Sequence, residues 1–218
     1  MGMLQHYQPP LTPYLQVLYQ DQHIVVLNKP SGLLSVPGKD PAHRDSLEWR
    51  ARLVWPNICL VHRLDMATSG ILVMAHHKSA QRELNRQFAG RLTEKHYIAV
   101  VAGQVQADQG CIDLPLICDW PNRPKQKICF EYGKASQTCF QVLQRNTLTS
   151  RLQLTPITGR SHQLRVHMQM LGHPILGDKF YAAKDTPQAA RLLLHARQLT
   201  LTHPDSGERV TFLAECPF

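Results

Sequence analysis

The sequence predicts an α+β fold: a single domain built on a mixed, mostly antiparallel sheet flanked by helices and loops. Three observations predict it. Short apolar runs of strand length recur at 24–27, 58–61 and 71–75. Segments near 95–101, 136–144, 150–155, 197–201 and 209–213 have the composition or alternation of strands. Only three stretches, about 46–55, 78–89 and 161–171, carry a helical period. At 218 residues the chain is long enough to bury a sizeable core.

In chain order, residues 1–14 hold Pro9, Pro10 and Pro13 and read as an extended arm, with the domain expected over 15–218. Ile24-Val25-Val26-Leu27 has the pattern of a buried strand, closed by the turn residues Asn28-Lys29-Pro30-Ser31-Gly32. Lys29 serves either the turn or a phosphate. Asp45-Ser46-Leu47-Glu48 resembles a capping box, and Leu47, Ala51 and Val54 share one face of a helix that Pro56 ends. The helix at 78–89 has an apolar stripe of Ala80, Leu84 and Phe88 and a basic one of Lys78, Arg82 and Arg86, with Gly90 as its C′ residue. That basic stripe is either a solvated face or a ridge that tracks phosphates.

Lys95–Val101 alternates as a strand carrying Tyr97. Residues 113–127 show no period and gather Trp120, Arg123, Lys125 and Lys127 between prolines, a composition that suits either idle surface or contact with nucleic acid. Strand-like segments follow at 128–132, 136–144 and 150–155. Gly159 and Ser161, as turn and N-cap, then open a helix to Leu171 whose buried stripe is Leu164, Met168 and Leu171. Arg165 falls beside that stripe, where a guanidinium requires a carboxylate partner. Two alternating segments, 197–201 and 209–213, finish the chain.

Composition narrows the function. With 24 Lys and Arg against 16 Asp and Glu, the formal charge of +8 favours a polyanionic partner, nucleic acid first. No apolar run approaches the roughly 20 residues that span a bilayer, so neither export nor a membrane anchor is expected. The six cysteines show no CxxC spacing and read as reduced thiols of a cytoplasmic protein. His162 and His167, five apart, do not share a helix face, and no metal or other cofactor is expected.

The stretch His62-Arg63-Leu64-Asp65-Met66-Ala67-Thr68-Ser69-Gly70 lies between two apolar segments, where a carboxylate with cations nearby stays ionised. Taken alone, Asp65 fits an Asx turn with a surface charge pair as well as a nucleophile or base. The nine residues together resemble the signature of the RluA family of pseudouridine synthases. Asn28–Gly32, Lys95-His96-Tyr97, Gly159–His167, 173–181 and 193–196 are similar to further stretches of that family. Asp119–Lys127 resembles one member more than the rest.

The resemblance implies a catalytic domain that isomerises uridine in structured RNA, in the tRNA anticodon stem-loop and in 23S ribosomal RNA. The enzyme would act without the extra N-terminal RNA-binding domain of many relatives, as a monomer and with no small-molecule cofactor. It implies Asp65 as the catalytic residue, Tyr97 against the target base and Arg165 salt-bridged to Asp65. Arg63 is expected to fill the gap left by the flipped base, and Arg82, Arg86, Trp120, Arg123, Lys125, Lys127 and Arg160 to contact RNA. Either proposed chemistry, attack of Asp65 on C1′ or removal of the 2′ proton to give a glycal, stays open. The rivals are a non-catalytic RNA-binding module and a hydrolase, which would need a second carboxylate or a metal.

Overall fold

The computed structural model describes residues 7–218, so the first six residues of the expected arm lie outside the described part. Among the described residues, three α-helices and twelve strands confirm the α+β class. The chain forms two compact units, one running up to Lys95 and resuming over Ala196–Pro217, the other comprising His96–His195 with Phe218.

In the first unit, β1 (Val17–Gln20), β2 (Ile24–Lys29), β4 (Ser69–Ala75) and β11 (Leu194–Thr202, from Ala196 onward) are neighbours in that order. The short β3 (Cys59–Leu60) lies on β4, and β12 (Arg209–Leu213) on β11. The apolar runs are continuous because both faces of the sheet are covered. Ile24, Val26, Ile71 and Val73 point to one face and pack with Ala80 and Leu84 of α2 (Lys78–Ala89). Val25, Leu27, Leu72 and Met74 point to the other, toward Leu47 and Ala51 of α1 (Leu47–Val54). Ser46 caps α1 by accepting from Trp49 N, a bond worth about 1 kcal/mol. Val54 is 55% exposed, and Arg50 instead takes the buried place, chelated by Asp45 through Nε and Nη2 at 2.7 Å each. The described part of the arm is tied down, since Tyr7 Oη donates to Asp45 O and accepts from Leu34 N. At the end of α2, Gly90 keeps helical angles and Arg91 takes the left-handed turn at φ 58°.

In the second unit, β5 (Glu94–Ala102, from His96 onward), β10 (Thr149–Pro156), β9 (Gln137–Arg145) and β6 (Gln109–Asp113) are joined by antiparallel ladders. β10 alternates strictly, burying Ser150, Leu152, Leu154 and Pro156. The segment 113–127, expected to be periodless, instead folds as a hairpin of β7 (Leu116–Cys118) and β8 (Gln126–Ile128). Strands of three residues are too short to show a period. α3 (Gln163–Met170) starts one residue later than expected: its N-cap is His162, not Ser161, in a left-handed conformation at φ 53°. Leu171 is only half-buried.

The thiol reading of the six cysteines also needs correction. Cys111 and Cys139 face each other directly across β6 and β9 and are joined by a disulfide. Twenty-eight residues separate them in sequence, so only the strand register brings them together. Cys59, Cys118 and Cys129 are free thiols.

Candidate active site

The loop between β3 and β4 is fixed by bonds from the loop that follows β2. Lys29 is fully buried, and its ammonium donates to Pro30 O (3.0 Å), Leu33 O (2.7 Å) and Met66 O (3.0 Å). Ser31 Oγ donates to Ala67 O and Gly32 N to Met66 O. Ser35 Oγ donates to Leu64 O and accepts from Leu64 N. The backbone is therefore held at Leu64, Met66 and Ala67, on both sides of Asp65. Asp65 itself is half-buried and its carbonyl accepts from Thr68 N, while Arg63 is exposed. The alternatives for Lys29 thus resolve toward structure. Sequence reasoning missed Ser35 as a clamp, since nothing in its neighbourhood marks it.

Glycine is required at the end of this loop. Gly70 has φ 115°, and a Cβ there would meet Ala196 O at 2.2 Å. His62 opens the loop with Nε2 accepting from Val73 N (3.1 Å) and its ring stacked on Phe88 at 4.6 Å. Only an unprotonated Nε2 can accept, and desolvation, followed by the Lys95 charge, pushes the His62 pKa down to about 3.

In the second unit Arg165 is buried and paired in bidentate fashion with Asp178, Nε to Oδ2 and Nη2 to Oδ1, both 2.7 Å. Phe180 and Tyr181 each place a ring centroid 5.1 Å from the guanidinium carbon. Asp178 Oδ1 also accepts from Phe180 N and Tyr181 N. Tyr181 Oη accepts from Gln126 N and pairs with His162 Nδ1 at 2.6 Å, tying the hairpin to the start of α3. The left-handed His162 is held by that bond and by its stack on Phe180. Gln163 fastens α3 to β9 by donating to Gln137 O and Thr138 Oγ1, and His167 joins Thr138 Oγ1 to Leu114 O. Asp178 lies in the stretch 173–181 that sequence reasoning treated as merely structural. Tyr97 is half-buried on β5, opposite Leu154.

The expected RNA contacts divide by what already occupies them. Trp120 is 67% exposed with the Arg123 guanidinium 4.4 Å over its ring. Lys127 lies 3.5 Å from Asp119, and Lys125 is half-buried. Arg160 is exposed, with Nε donating to Ala135 O at 3.3 Å. Arg86 is engaged by Glu83 at 2.7 Å, whereas Arg82 on the same helix is exposed. No helix among the described residues is long and apolar enough to cross a membrane.

A family model described as RNA pseudouridylate synthase matches residues 23–170. The dual-specificity RNA pseudouridine synthase RluA of Escherichia coli strain K12 is 56% identical over 220 residues, covering 100% of both chains. The protein of that name from Vibrio vulnificus strain CMCP6 is 53% identical, over 100% of this chain and 89% of its own. Among solved structures, human RNA pseudouridylate synthase domain containing 1 is 30% identical with a TM-score of 0.80, covering 97% of this chain and 87% of that one. Full-length similarity of this strength bears out the resemblance carried by the Asp65 motif: the chain belongs to the RluA family of RNA pseudouridine synthases, isomerases that convert uridine to pseudouridine within RNA.

Proposed function

We propose that the protein modifies uridines in two RNAs, the tRNA anticodon stem-loop and 23S ribosomal RNA, with Asp65 as its catalytic residue. Support for the substrates comes from full-length relatives named as dual-specificity synthases. The observation that carries the assignment of Asp65 is the clamp on its loop, bonded at Leu64, Met66 and Ala67 by Ser35, Lys29 and Ser31. Such a loop presents one carboxylate in a fixed place, as attack or proton removal at a sugar carbon requires. The reaction breaks the N1–C1′ bond and rejoins the uracil through C5, consuming no redox equivalent or group donor.

In this reading Arg165 fixes the Asp65 carboxylate, Tyr97 lies against the uracil and Arg63 occupies the gap left by the flipped base. Trp120 with Arg123, together with Lys125, Lys127, Arg160, Arg82 and Arg86, meets RNA bases and backbone. Of the two arginines on α2, Arg82 is better placed, since Arg86 would have to leave Glu83. The catalytic domain runs from residue 15 to 218 and acts as a monomer in the cytoplasm. The test is to incubate purified protein with each RNA, digest to nucleosides and look for the carbon-linked isomer. Product from both supports the dual assignment; product from one removes the other, and product from neither overturns it.

A further inference from the structure

Lys95, at the start of β5, is the anomaly among the shielded cations of the first unit. Lys29 donates to three carbonyls and Arg50 is chelated by Asp45. Those two are fully buried and Lys95 is half-buried, but among the described residues no hydrogen bond or ion pair reaches its ammonium. The neighbouring Glu94 is engaged elsewhere, at 2.6 Å from Arg209. Desolvation lowers the Lys95 pKa, with no carboxylate to offset it. The ammonium lies 5.9 Å from the Phe88 ring centroid, whose ring stacks on His62, three residues before Asp65. It is near enough to His62 for its charge to depress that imidazole. A cation kept partly out of water without a counter-charge is unfavourable in the free protein and favourable once an anion arrives.

We propose that Lys95 is a phosphate ligand of the RNA substrate, its ammonium left unpaired in the free protein to receive a backbone phosphodiester at the edge of the His62–Gly70 loop. The inference rests on the reading of that loop as the catalytic one. The anion is an RNA phosphodiester because the substrate is RNA, whose densest charge is its backbone. Sequence reading assigned Lys95 no role, because nothing in Lys-x-Tyr tells a paired lysine from an unpaired one.

The test compares wild type with Lys95→Met, which keeps the stem and removes the charge, and Lys95→Arg, which keeps the charge. Turnover and binding of an anticodon stem-loop are read across a salt series, with the thermal midpoint of the free protein. For Lys95→Met the expectation is a KM raised about tenfold with kcat little changed, and a salt slope reduced by about one ion. The midpoint of Lys95→Met should rise by about 2–4 °C, since an uncompensated charge has gone. Lys95→Arg should keep the wild-type salt slope. An unchanged KM and slope in Lys95→Met overturns the proposal, as does a lowered midpoint with kcat and KM failing together, which marks a structural lysine. Wild type that binds the stem-loop but forms no product counts against the proposed substrate alone, and the binding arm still decides Lys95.

Discussion

Lys29 in the first unit and Arg165 in the second are both buried cations, held by different chemistry. Lys29 Nζ is ringed by three carbonyl oxygens drawn from two loops, so the cation serves the backbone and draws Met66 toward Pro30 and Leu33. Arg165 meets a carboxylate in fork-to-fork geometry between two aromatic rings, so here the surroundings serve the cation and fix its plane. The difference teaches which group each region positions. In the first it is the loop that carries Asp65, and in the second it is the guanidinium.

The sharpest way to break that comparison is Asp65→Asn. Its loop is held through backbone carbonyls that the substitution leaves in place, so the fold should be unchanged. Product formation should fall about 10⁴-fold or more, read by nucleoside digestion. Residual turnover near wild type would mean that the clamp positions something else.

Next in size is the contrast between the two anchors. Asp178→Asn leaves Arg165 buried beside a neutral partner and should cost about 3–5 kcal/mol in urea unfolding. Lys29→Met strands three carbonyl acceptors and should cost about 1–3 kcal/mol. A larger loss for Lys29→Met would reverse the ranking of carboxylate and carbonyl anchoring.

A pH series sharpens the picture around His62. Its folded pKa of about 3 lies below the ordinary 6.5, so between those values the unfolded chain binds a proton that the native state does not. Stability should therefore fall as pH drops below about 6.5, by up to roughly 1.4 kcal/mol per pH unit from this group. Burial shifts His76 and His167 in the same direction. Urea midpoints at pH 7, 5.5 and 4.5 should show that slope, and His62→Gln should flatten it.

The smallest effect is expected for Tyr181→Phe. It removes the hydroxyl that joins Gln126 N to His162 Nδ1 but keeps the ring beside Arg165. A loss of about 1 kcal/mol is expected. A much larger one would make the hydroxyl, not the Asp178 fork, the main support of this region.

Much of the frame was legible because period and punctuation are local. α2 occupies the expected 78–89, α1 begins at its expected Ser46 cap, and β12 spans the expected 209–213. Failures came where a local signal was short or overruled. The three-residue strands of the hairpin leave no period, and His162 takes the cap position expected of Ser161 because its ring is fastened to Phe180 and Tyr181. The Asp65 stretch stood out as a motif, whereas its supports did not: Lys29 lies 37 residues from Met66, and Ser35 lies 29 from Leu64.

By itself the sequence determined the α+β class, the three helical segments, the basic balance and, through nine contiguous residues, the chemistry to look for. Only the tertiary structure decided which cations are satisfied. Asp178 claims Arg165, backbone carbonyls claim Lys29, Glu83 claims Arg86, and among the described residues no carboxylate or carbonyl claims Lys95. The reason is physical: a residue's type states the charge it carries, but the cost of that charge depends on neighbours that the fold brings from distant parts of the chain.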